Sequence, residues 1–366
     1  MLEGETVMKT YMFTGFPGFL CNELVKEILQ NKNDVKEMIF LVLPSMKKKA
    51  NYFLGLFKKD YPTINFTIIE GDITERYQQW GAMKRIQDIH YVFHLAAIYD
   101  LAVKEKVANS VNVDGTKNIL EWLKTLQSLE RFVYFSTAYV AGKREGIIYE
   151  NELIKNQTFK NHYEKTKYLA EVAVQEFVHE IPTTIIRPGI VIGHSETGET
   201  AKFDGPYMIL NCFRSLKRLP FIPYLGKSDA ELNVVPVDYV IKATTYLSHA
   251  ESGLNKTFHL THPEPILIKE AYELLLYETL KKRPTGTLPL SVAKLCLTVP
   301  FLRKWLRVEK ESLDYFTCKT SFDCTNTIKA LSETDIKCKT FKTTVTNMVG
   351  FYIENEDDKS KHIFIS

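Results

Sequence analysis

Short apolar runs alternate with helical patterns along the first half of this 366-residue chain, and this alternation limits its possible folds more than any other feature. Helical patterns cover residues 20–30, 110–125 and 163–179. Strands of about five residues that alternate with helices predict right-handed β-α-β units and a sheet covered on both faces. We therefore expect an α/β fold with a doubly wound parallel sheet. The predicted strands are Thr10–Thr14, Met38–Leu43, Asn65–Glu70, Tyr91–Leu95, Arg131–Phe135 and Thr183–Ile186.

A glycine-containing turn joins the first strand to the first helix. Gly15 and Gly18 allow a backbone to approach a pyrophosphate, and a helix N-terminus favours its negative charge. Cys21 replaces the third glycine of the G-x-x-G-x-x-G pattern, at a position that serves helix–strand packing and tolerates a small side chain. The context predicts a Rossmann-like sheet with a dinucleotide bound at this turn. The residues predicted to bind it are Gly15, Phe16, Pro17, Gly18, Phe19 and Leu20.

The end of the second strand bears on the choice of cofactor. An NAD enzyme usually has an acidic residue there, which holds the ribose 2′-hydroxyl. This chain has Pro44 and Ser45 instead, followed by three lysines from 47 to 49. Ser45 and Lys47 could hold a 2′-phosphate, so we predict NADP as the cofactor, with NAD as the alternative. The lysines could instead form only a solvated basic face of a helix. Asp72 and Ile73, after the third strand, are predicted to contact the adenine, although Asp72 could equally cap a helix.

A Tyr-x-x-x-Lys pair lies 26 residues after the step Ser136-Thr137, which closes the fifth strand. Tyr163 and Lys167 project from one face of a helix, where an ammonium can lower the pKa of a phenol and contact a ribose. The spacing also occurs at Tyr139, Tyr277 and Tyr315, so the spacing alone does not identify the functional pair. The position after the Ser136-Thr137 step favours Tyr163.

The motifs, taken in order, resemble the extended short-chain dehydrogenase/reductase superfamily over about residues 8–265. Within it, the run from Ser136 to Val140 resembles the fatty acyl reductases, and the run from Arg187 to Glu199 resembles thioester reductase domains. The motifs are the 14–20 turn, Gly71-Asp72-Ile73, His94-Leu95-Ala96-Ala97, Asn112-Val113-x-Gly115-Thr116, Ser136-Thr137, the Tyr163/Lys167 pair and Arg187-Pro188-Gly189.

The resemblance implies a role for each matched residue. Tyr163 would donate a proton to the developing alkoxide, and Lys167 would lower the pKa of Tyr163 and bind the nicotinamide ribose. Thr137 would hydrogen-bond the substrate oxygen, and Asn112 would hold the active-site backbone or a water relay, unless it is an ordinary polar residue within a helix. The resemblance places these further residues against the cofactor: Leu95, Ala96, Ala97, Ser136, Pro188, Gly189 and Val191.

The implied enzyme is an NADP-dependent oxidoreductase that reduces a carbonyl of a hydrophobic aldehyde, ketone or acyl thioester, the thioester being carried on CoA or a carrier protein. Five aromatic residues after the sixth strand could line an apolar channel or form plain core: Phe203, Tyr207, Phe213, Phe221 and Tyr224. Two alternatives stay open, a nucleotide-sugar epimerase or dehydratase of the same superfamily and a non-catalytic NAD(P)-binding sensor. Neither the substrate nor the direction of the reaction follows from the fold.

We expect four regions: residues 1–8 as a leader or tag, 9–195 as the NAD(P)-binding domain, 196–353 as the substrate-binding or cap region, and 354–366 as a polar tail. A segment of the cap region, about 231–250, is expected to return to the NAD(P)-binding domain. A third possibility for function arises in 288–308, where apolar residues interspersed with lysine and arginine suit either an interfacial membrane helix or a cap helix.

Charge and cysteine usage restrict the class of protein. A net charge of +3 is too small to indicate nucleic-acid binding, and no apolar run reaches the ~18 residues of a membrane span. The six cysteines are scattered without metal-binding spacing, so we expect free thiols, no metal and a cytoplasmic location. The sequence leaves a homodimer open.

Overall fold

A seven-stranded parallel sheet forms the centre of the computed structural model, which describes residues 7–80, 88–226 and 229–363. The strand order is β12-β7-β5-β4-β1-β2-β3, and every neighbouring pair is parallel. Successive strands are added to one side of β1 and then, from β4 onward, to the other side, which makes the sheet doubly wound. The predicted α/β, Rossmann-like fold class is therefore confirmed. The strands are β1 (Lys9–Thr14), β2 (Val35–Val42), β3 (Asn65–Glu70), β4 (Tyr91–His94), β5 (Arg131–Phe135), β7 (Thr183–Pro188) and β12 (Lys256–Leu260).

Helices cover both faces of this sheet because its strands are apolar on both sides. One face packs against α1 (Phe19–Asn31), α2 (Lys47–Asp60) and α7 (Val237–His249). The other face packs against α4 (Gly115–Leu123) and α5 (His162–Glu176). The helix α3 (Glu105–Ala108) continues through a π-helical segment, Asn109–Asp114, into α4.

A separate apolar cluster is built mainly from elements after residue 190 and includes Phe203, Tyr207 and Leu275, each 1% exposed or less. Its helices are α6 (Tyr207–Ser215), α8 (Ile268–Leu280), α9 (Leu290–Cys296), α10 (Pro300–Leu306) and α12 (Phe341–Asn355). The remaining helix, α11 (Thr325–Leu331), packs beside β12. We call the part of the chain from residue 196 onward, without α7, β12 and α11, the cap.

Short strand pairs connect the cap to the loops at the edge of the sheet. The pair β15–β6 joins Thr320–Phe322 to Gly146–Ile148, and β11–β8 joins Val234–Pro236 to Ile190–Ile192. Two further pairs lie within the cap: β14 (Thr287–Leu288) with β9 (Tyr224–Leu225), and β10 (Glu231–Leu232) with β13 (Ile266–Leu267).

Two elements differ from the sequence-based expectation. β12 (Lys256–Leu260) was not predicted, because it lies in the later part of the chain, where strands and helices no longer alternate regularly. Within the segment 231–250, residues 234–236 form β11, which pairs with β8 outside the main sheet. The predicted leader, residues 1–8, lies largely outside the described residues, as does the end of the predicted tail. In the described part of the chain, no helix combines the length and apolar character needed to cross a bilayer.

Candidate active site

The turn after β1 has the geometry of a pyrophosphate cradle. Gly15 has φ +88°, and a Cβ atom there would lie 2.8 Å from the main-chain nitrogen of Ala96. A Cβ on Gly18 would lie 2.6 Å from the carbonyl oxygen of Gly15. Within the described residues, no side chain caps the first turn of α1, so its amide groups can serve an anionic ligand. The turn therefore fits a dinucleotide, and Cys21 packs in the core behind it, 1% exposed.

The end of β4 is fixed beside this turn by a buried histidine. His94 Nδ1 lies 2.7 Å from the hydroxyl oxygen of Thr14, and Nε2 lies 3.1 Å from that of Thr116. Burial lowers the pKa of His94 to about 3, so the ring is neutral and serves structure. The Thr14 hydroxyl also accepts the Ala96 amide at 3.1 Å, which places 95–97 beside the glycine turn.

The residues predicted to hold the 2′-phosphate of the ribose lie on the surface, in the turn that follows β2. Ser45 lies in a 3-10 turn, and Lys47 forms an ion pair with Glu70 at 2.5 Å. The Asp72 carboxylate accepts the Thr74 amide at 2.8 Å, which closes a local turn, and Ile73 is buried against Gly115. One oxygen of Asp72 is thus engaged by its own loop.

Thr137 and Tyr163 come together at the carboxyl end of β5. Their side chains share a hydrogen bond, and the Thr137 hydroxyl also accepts the Tyr139 amide at 3.3 Å. Burial raises the pKa of Tyr163 to about 12, and the bond from Thr137 opposes this rise. The phenol is therefore protonated at neutral pH.

Lys167 lies one helical turn after Tyr163 and is 4% exposed. Its ammonium donates to the carbonyl oxygen of Phe135 at 2.6 Å and lies 4.4 Å from the centre of the Tyr134 ring. Burial lowers the pKa of Lys167 to about 7, while the charge of Glu171 raises it. The ammonium is thus held at the end of β5.

Asn112 is buried in the π-helical segment before α4. Its side chain accepts the Ile98 amide at 2.8 Å and donates to the Ile98 carbonyl at 3.0 Å. It also donates to the Thr166 hydroxyl of α5 at 3.0 Å. Asn112 therefore connects the loop after β4 to the helix that carries Tyr163 and Lys167.

A buried polar network behind Lys167 was missed at the level of sequence. Glu171 accepts hydrogen bonds from the Ser136 hydroxyl and from Nε of Arg187, the latter at 2.9 Å. Arg187 also lies 3.1 Å from Nε2 of His259 on β12. A signal was present, because Glu171 follows Tyr163 and Lys167 at the same four-residue spacing on α5. Since the Ser136 hydroxyl is occupied, a cofactor contact from Ser136 would use its main chain.

The segment after β7 lies against β11. The Gly189 amide donates to the Leu260 carbonyl at 3.1 Å, and a Cβ on Gly189 would lie 2.7 Å from the carbonyl oxygen of Asn233. Pro188 is buried, whereas Val191 is half-buried and packs against the core of the sheet. These contacts position 188–191 at the same edge of the sheet as Thr137.

Two polar residues from different loops, Tyr99 and Asp204, also act on Tyr163, and the sequence did not single them out. Both disfavour the ionised phenol and so raise the pKa of Tyr163. Burial raises the pKa of Asp204 to about 6, and Lys202 hydrogen-bonds Tyr99. No sequence motif marks these positions, which are brought together by the loops after β4 and β8.

The cap closes over the start of α5. Tyr315 donates to the Glu164 carboxylate at 2.9 Å and accepts from Asn161, the N-cap of α5, at 3.1 Å. The next residue, Phe316, lines a cavity of about 340 Å³. The cavity walls are Leu225, Gly226, Thr287, Pro289, Leu290, Phe316 and Thr317.

The five aromatic residues that could line a channel or form plain core have different locations. Phe203, Tyr207 and Phe213 are at most 1% exposed and pack in the core of the cap, so their role is packing. Phe221 is 61% exposed, and Tyr224 is half-buried against Tyr272. Of the two interpretations that the sequence left open, plain core holds for the three buried residues.

Comparison with known proteins identifies the relatives of this fold and site. Residues 13–244 match the NAD_binding_4 family, described as male sterility protein. The chain is 28% identical over 205 residues to the fatty acyl-CoA reductase wat of Drosophila melanogaster, covering 48% of this chain and 40% of that protein. It is 24% identical over 322 residues to the alcohol-forming fatty acyl-CoA reductase of Simmondsia chinensis, covering 64% of this chain and 62% of that protein. The chain thus spans less than two thirds of these curated relatives.

Solved structures show the same fold. The terminal R domain from the myxalamid PKS-NRPS biosynthetic pathway superposes with a TM-score of 0.77 at 22% identity, covering 97% of this chain and 92% of that domain. The UDP-glucuronic acid 4-epimerase from Bacillus cereus, solved in complex with NAD, gives a TM-score of 0.65 at 17% identity, covering 94% and 99%.

Proposed function

Because the chain belongs to the NAD_binding_4 (male sterility protein) family of extended short-chain dehydrogenase/reductases, we propose that it is an NADP-dependent reductase. It reduces the carbonyl of a hydrophobic acyl thioester, aldehyde or ketone, with Tyr163 as the proton donor. The observation that carries this proposal is the meeting of Thr137, Tyr163 and Lys167 at the carboxyl end of β5, across the sheet edge from the glycine turn. The bound cofactor would supply the hydride.

Tyr163 is suited to donate a proton because its phenol is protonated at neutral pH and half-buried beside Thr137. As negative charge develops on the substrate oxygen, the phenol transfers its proton to that oxygen. Thr137 supplies a second hydroxyl that orients the same oxygen. The Thr137 side chain is fixed for this task, because it also accepts the Tyr139 amide.

Lys167 has two roles in this proposal. Its ammonium faces the end of β5, where it would hydrogen-bond the ribose next to the nicotinamide. Its positive charge would also stabilise the tyrosinate that remains after proton transfer. Glu171 favours the charged form of Lys167, which burial otherwise disfavours. Glu171 is thus a positioning residue for the lysine.

The preference for NADP is supported by the residues after β2. Ser45 is exposed, and Lys48 and Lys49 are exposed beside it. Lys47 pairs with Glu70, and both side chains are nearly half exposed. An ion pair this exposed contributes only ~0–1 kcal/mol, so a 2′-phosphate can compete for the lysine.

The substrate class is supported by two observations. The relatives of this chain include several fatty acyl-CoA reductases, and a non-canonical nonribosomal peptide synthetase of Aspergillus campestris is 26% identical over 219 residues. The cavity beside Tyr315 is walled mostly by apolar groups and borders the loop that closes on α5. We propose that it receives the acyl chain of a thioester carried on CoA or on a carrier protein.

NADPH consumption by the purified chain tests this function. The substrates are acyl-CoA thioesters of increasing chain length, the matching aldehydes and a UDP-sugar. Each buried methylene contributes ~0.8 kcal/mol, so kcat/KM should rise several-fold per two carbons until the cavity is filled. Conversion of the UDP-sugar without net NADPH consumption would support an epimerase instead. Tight NADPH binding without turnover of any substrate would support a sensor.

A further inference from the structure

The cap carries a surface that is both apolar and basic, formed by α9, α10 and the loop that follows α6. We call it the α9–α10 surface and define it by its exposed apolar side chains, namely Leu219, Phe221, Val292, Leu295, Val299, Phe301 and Trp305. Phe301 is 75% exposed and Leu295 is 68% exposed. Large apolar side chains clustered at the surface mark an interaction site.

Both helices also have a side that faces the core, so their exposed apolar residues are additional to those that the core requires. Ala293 and Leu297 are buried in the core of the cap, and Leu290 and Leu306 pack against it. The two helices are therefore apolar on the side that is already packed and also on the opposite side. The end of α6 is joined to α10, since the Ser215 hydroxyl donates to the Trp305 carbonyl at 3.0 Å.

The two segments that form this surface carry only cationic charges, of which two are paired with acidic residues outside the segments, Lys294 with Asp314 and Lys281 with Glu278. Residues 281–308 contain no aspartate or glutamate, and neither do residues 214–228, which lead from α6 into β9. Strand β9 pairs with β14 of the first segment, so the two segments are neighbours in space. The first segment has seven cationic residues, Lys281, Lys282, Arg283, Lys294, Arg303, Lys304 and Arg307, although the chain as a whole has a net charge of only +3.

We propose that the α9–α10 surface docks on a bilayer that contains anionic phospholipids. Exposed phenylalanine, tryptophan and leucine can insert at the level of the headgroups, while lysine and arginine stems reach the phosphates. The cavity that lies next to Tyr315 has Pro289 and Leu290 in its wall, at the start of α9. Docking would therefore place this wall of the cavity near the membrane, from which, if the proposed function holds, a lipid-like substrate would enter.

The tryptophan content of the chain allows a direct test. Its three tryptophans are Trp80, Trp122 and Trp305, which are 1%, 0% and 48% exposed. Only the fluorescence of Trp305 should shift to the blue on binding, and brominated lipid should quench it. Vesicles of neutral phosphatidylcholine are compared with vesicles that also contain phosphatidylglycerol, at low and at high salt. We expect tight binding only to the anionic vesicles, weakened by salt.

A double variant and a control variant test whether binding to the vesicles depends on this particular surface. Replacing both Leu295→Ser and Phe301→Ser should reduce partitioning into anionic vesicles by about ten-fold or more. The control Ile154→Ser, which removes an equally exposed apolar side chain (62%) elsewhere, should change it less than about two-fold. All three positions are exposed, so thermal melting should be unchanged. Equal loss in the double variant and the control would overturn the proposal.

Other outcomes also decide the question. Equal affinity for neutral and anionic vesicles would refute the electrostatic part of the proposal. A Trp305 shift with an acidic carrier protein but with neither type of vesicle would identify a protein partner and overturn bilayer docking. Because the readout is binding, these results do not depend on whether the chain proves to be a reductase.

Discussion

The carboxylate of Glu171 and the guanidinium of Arg187 form an ion pair in which neither side chain is exposed to solvent. The pair joins α5, which carries Tyr163 and Lys167, to β7, the second strand from one edge of the sheet. The Ser136 hydroxyl also donates to Glu171. The pair thus fixes the active-site helix to two strand ends.

Glu171→Gln should lower the free energy of unfolding by about 3–5 kcal/mol, because it leaves a buried guanidinium without its counter-charge. Urea denaturation measures the change. Glu270→Gln removes an exposed ion pair with Lys342 and should cost less than about 1 kcal/mol. Similar values for the two variants would show that the buried pair does not stabilise the fold.

Tyr163→Phe should reduce kcat about a hundredfold or more, because the proton donor is lost, while NADPH affinity stays within about two-fold. Stopped-flow or steady-state NADPH oxidation gives the rate, and fluorescence titration gives the affinity. Tyr277→Phe is a matched control, since Tyr277 also precedes a lysine by four residues but has a side chain that is 48% exposed on the outer side of α8. Wild-type turnover in Tyr163→Phe would exclude the tyrosine as donor.

The value of kcat/KM for NADPH should fall as the pH rises through about 7. Burial lowers the pKa of Lys167 to about 7, so the ammonium that binds the ribose is present below this pH and lost above it. A pH profile from acid to mildly alkaline conditions shows the transition. Lys167→Met should have low activity and lack it. The same transition in Lys167→Met would assign it to another group.

Gly15→Ala should weaken NADPH binding severely, because Gly15 has φ +88° and a Cβ would clash with the main chain of Ala96. Calorimetric titration measures the binding. Gly350→Ala on α12 is the control, since nothing lies within 4 Å of its new Cβ, and helix propensity predicts a stabilisation of ~0.5–1 kcal/mol. Unchanged NADPH binding in Gly15→Ala would remove the cradle assignment.

Ser45→Asp should shift the preference from NADPH towards NADH by ten-fold or more, because a carboxylate repels the 2′-phosphate and can accept from the 2′-hydroxyl. Binding of both cofactors to the wild type and the variant checks this. Equal affinities in the wild type would contradict the proposed NADP preference and would leave Lys47 as a partner of Glu70 only.

The sequence by itself determined the local features of this protein. Strand and helix periodicity gave the fold class, and Gly15, Gly18 and the Tyr163/Lys167 pair could be located because turn chemistry and helix spacing act over a few residues. The family match over 13–244 confirms the resemblance on which the other assignments depend. The cofactor contacts that were inferred from the motifs remain predictions.

Only the tertiary structure decided the contacts between distant segments. β12 joins the sheet although α6 and α7 separate it in sequence from its parallel neighbour β7, which supplies its hydrogen bonds. Glu171 forms an ion pair with Arg187, and Tyr315 donates a hydrogen bond to Glu164, which is 151 positions away in sequence. No periodic pattern in the sequence predicts either contact. Burial then set the pKa of Tyr163 and Lys167, and burial depends on every segment packed around a group rather than on its neighbours in sequence.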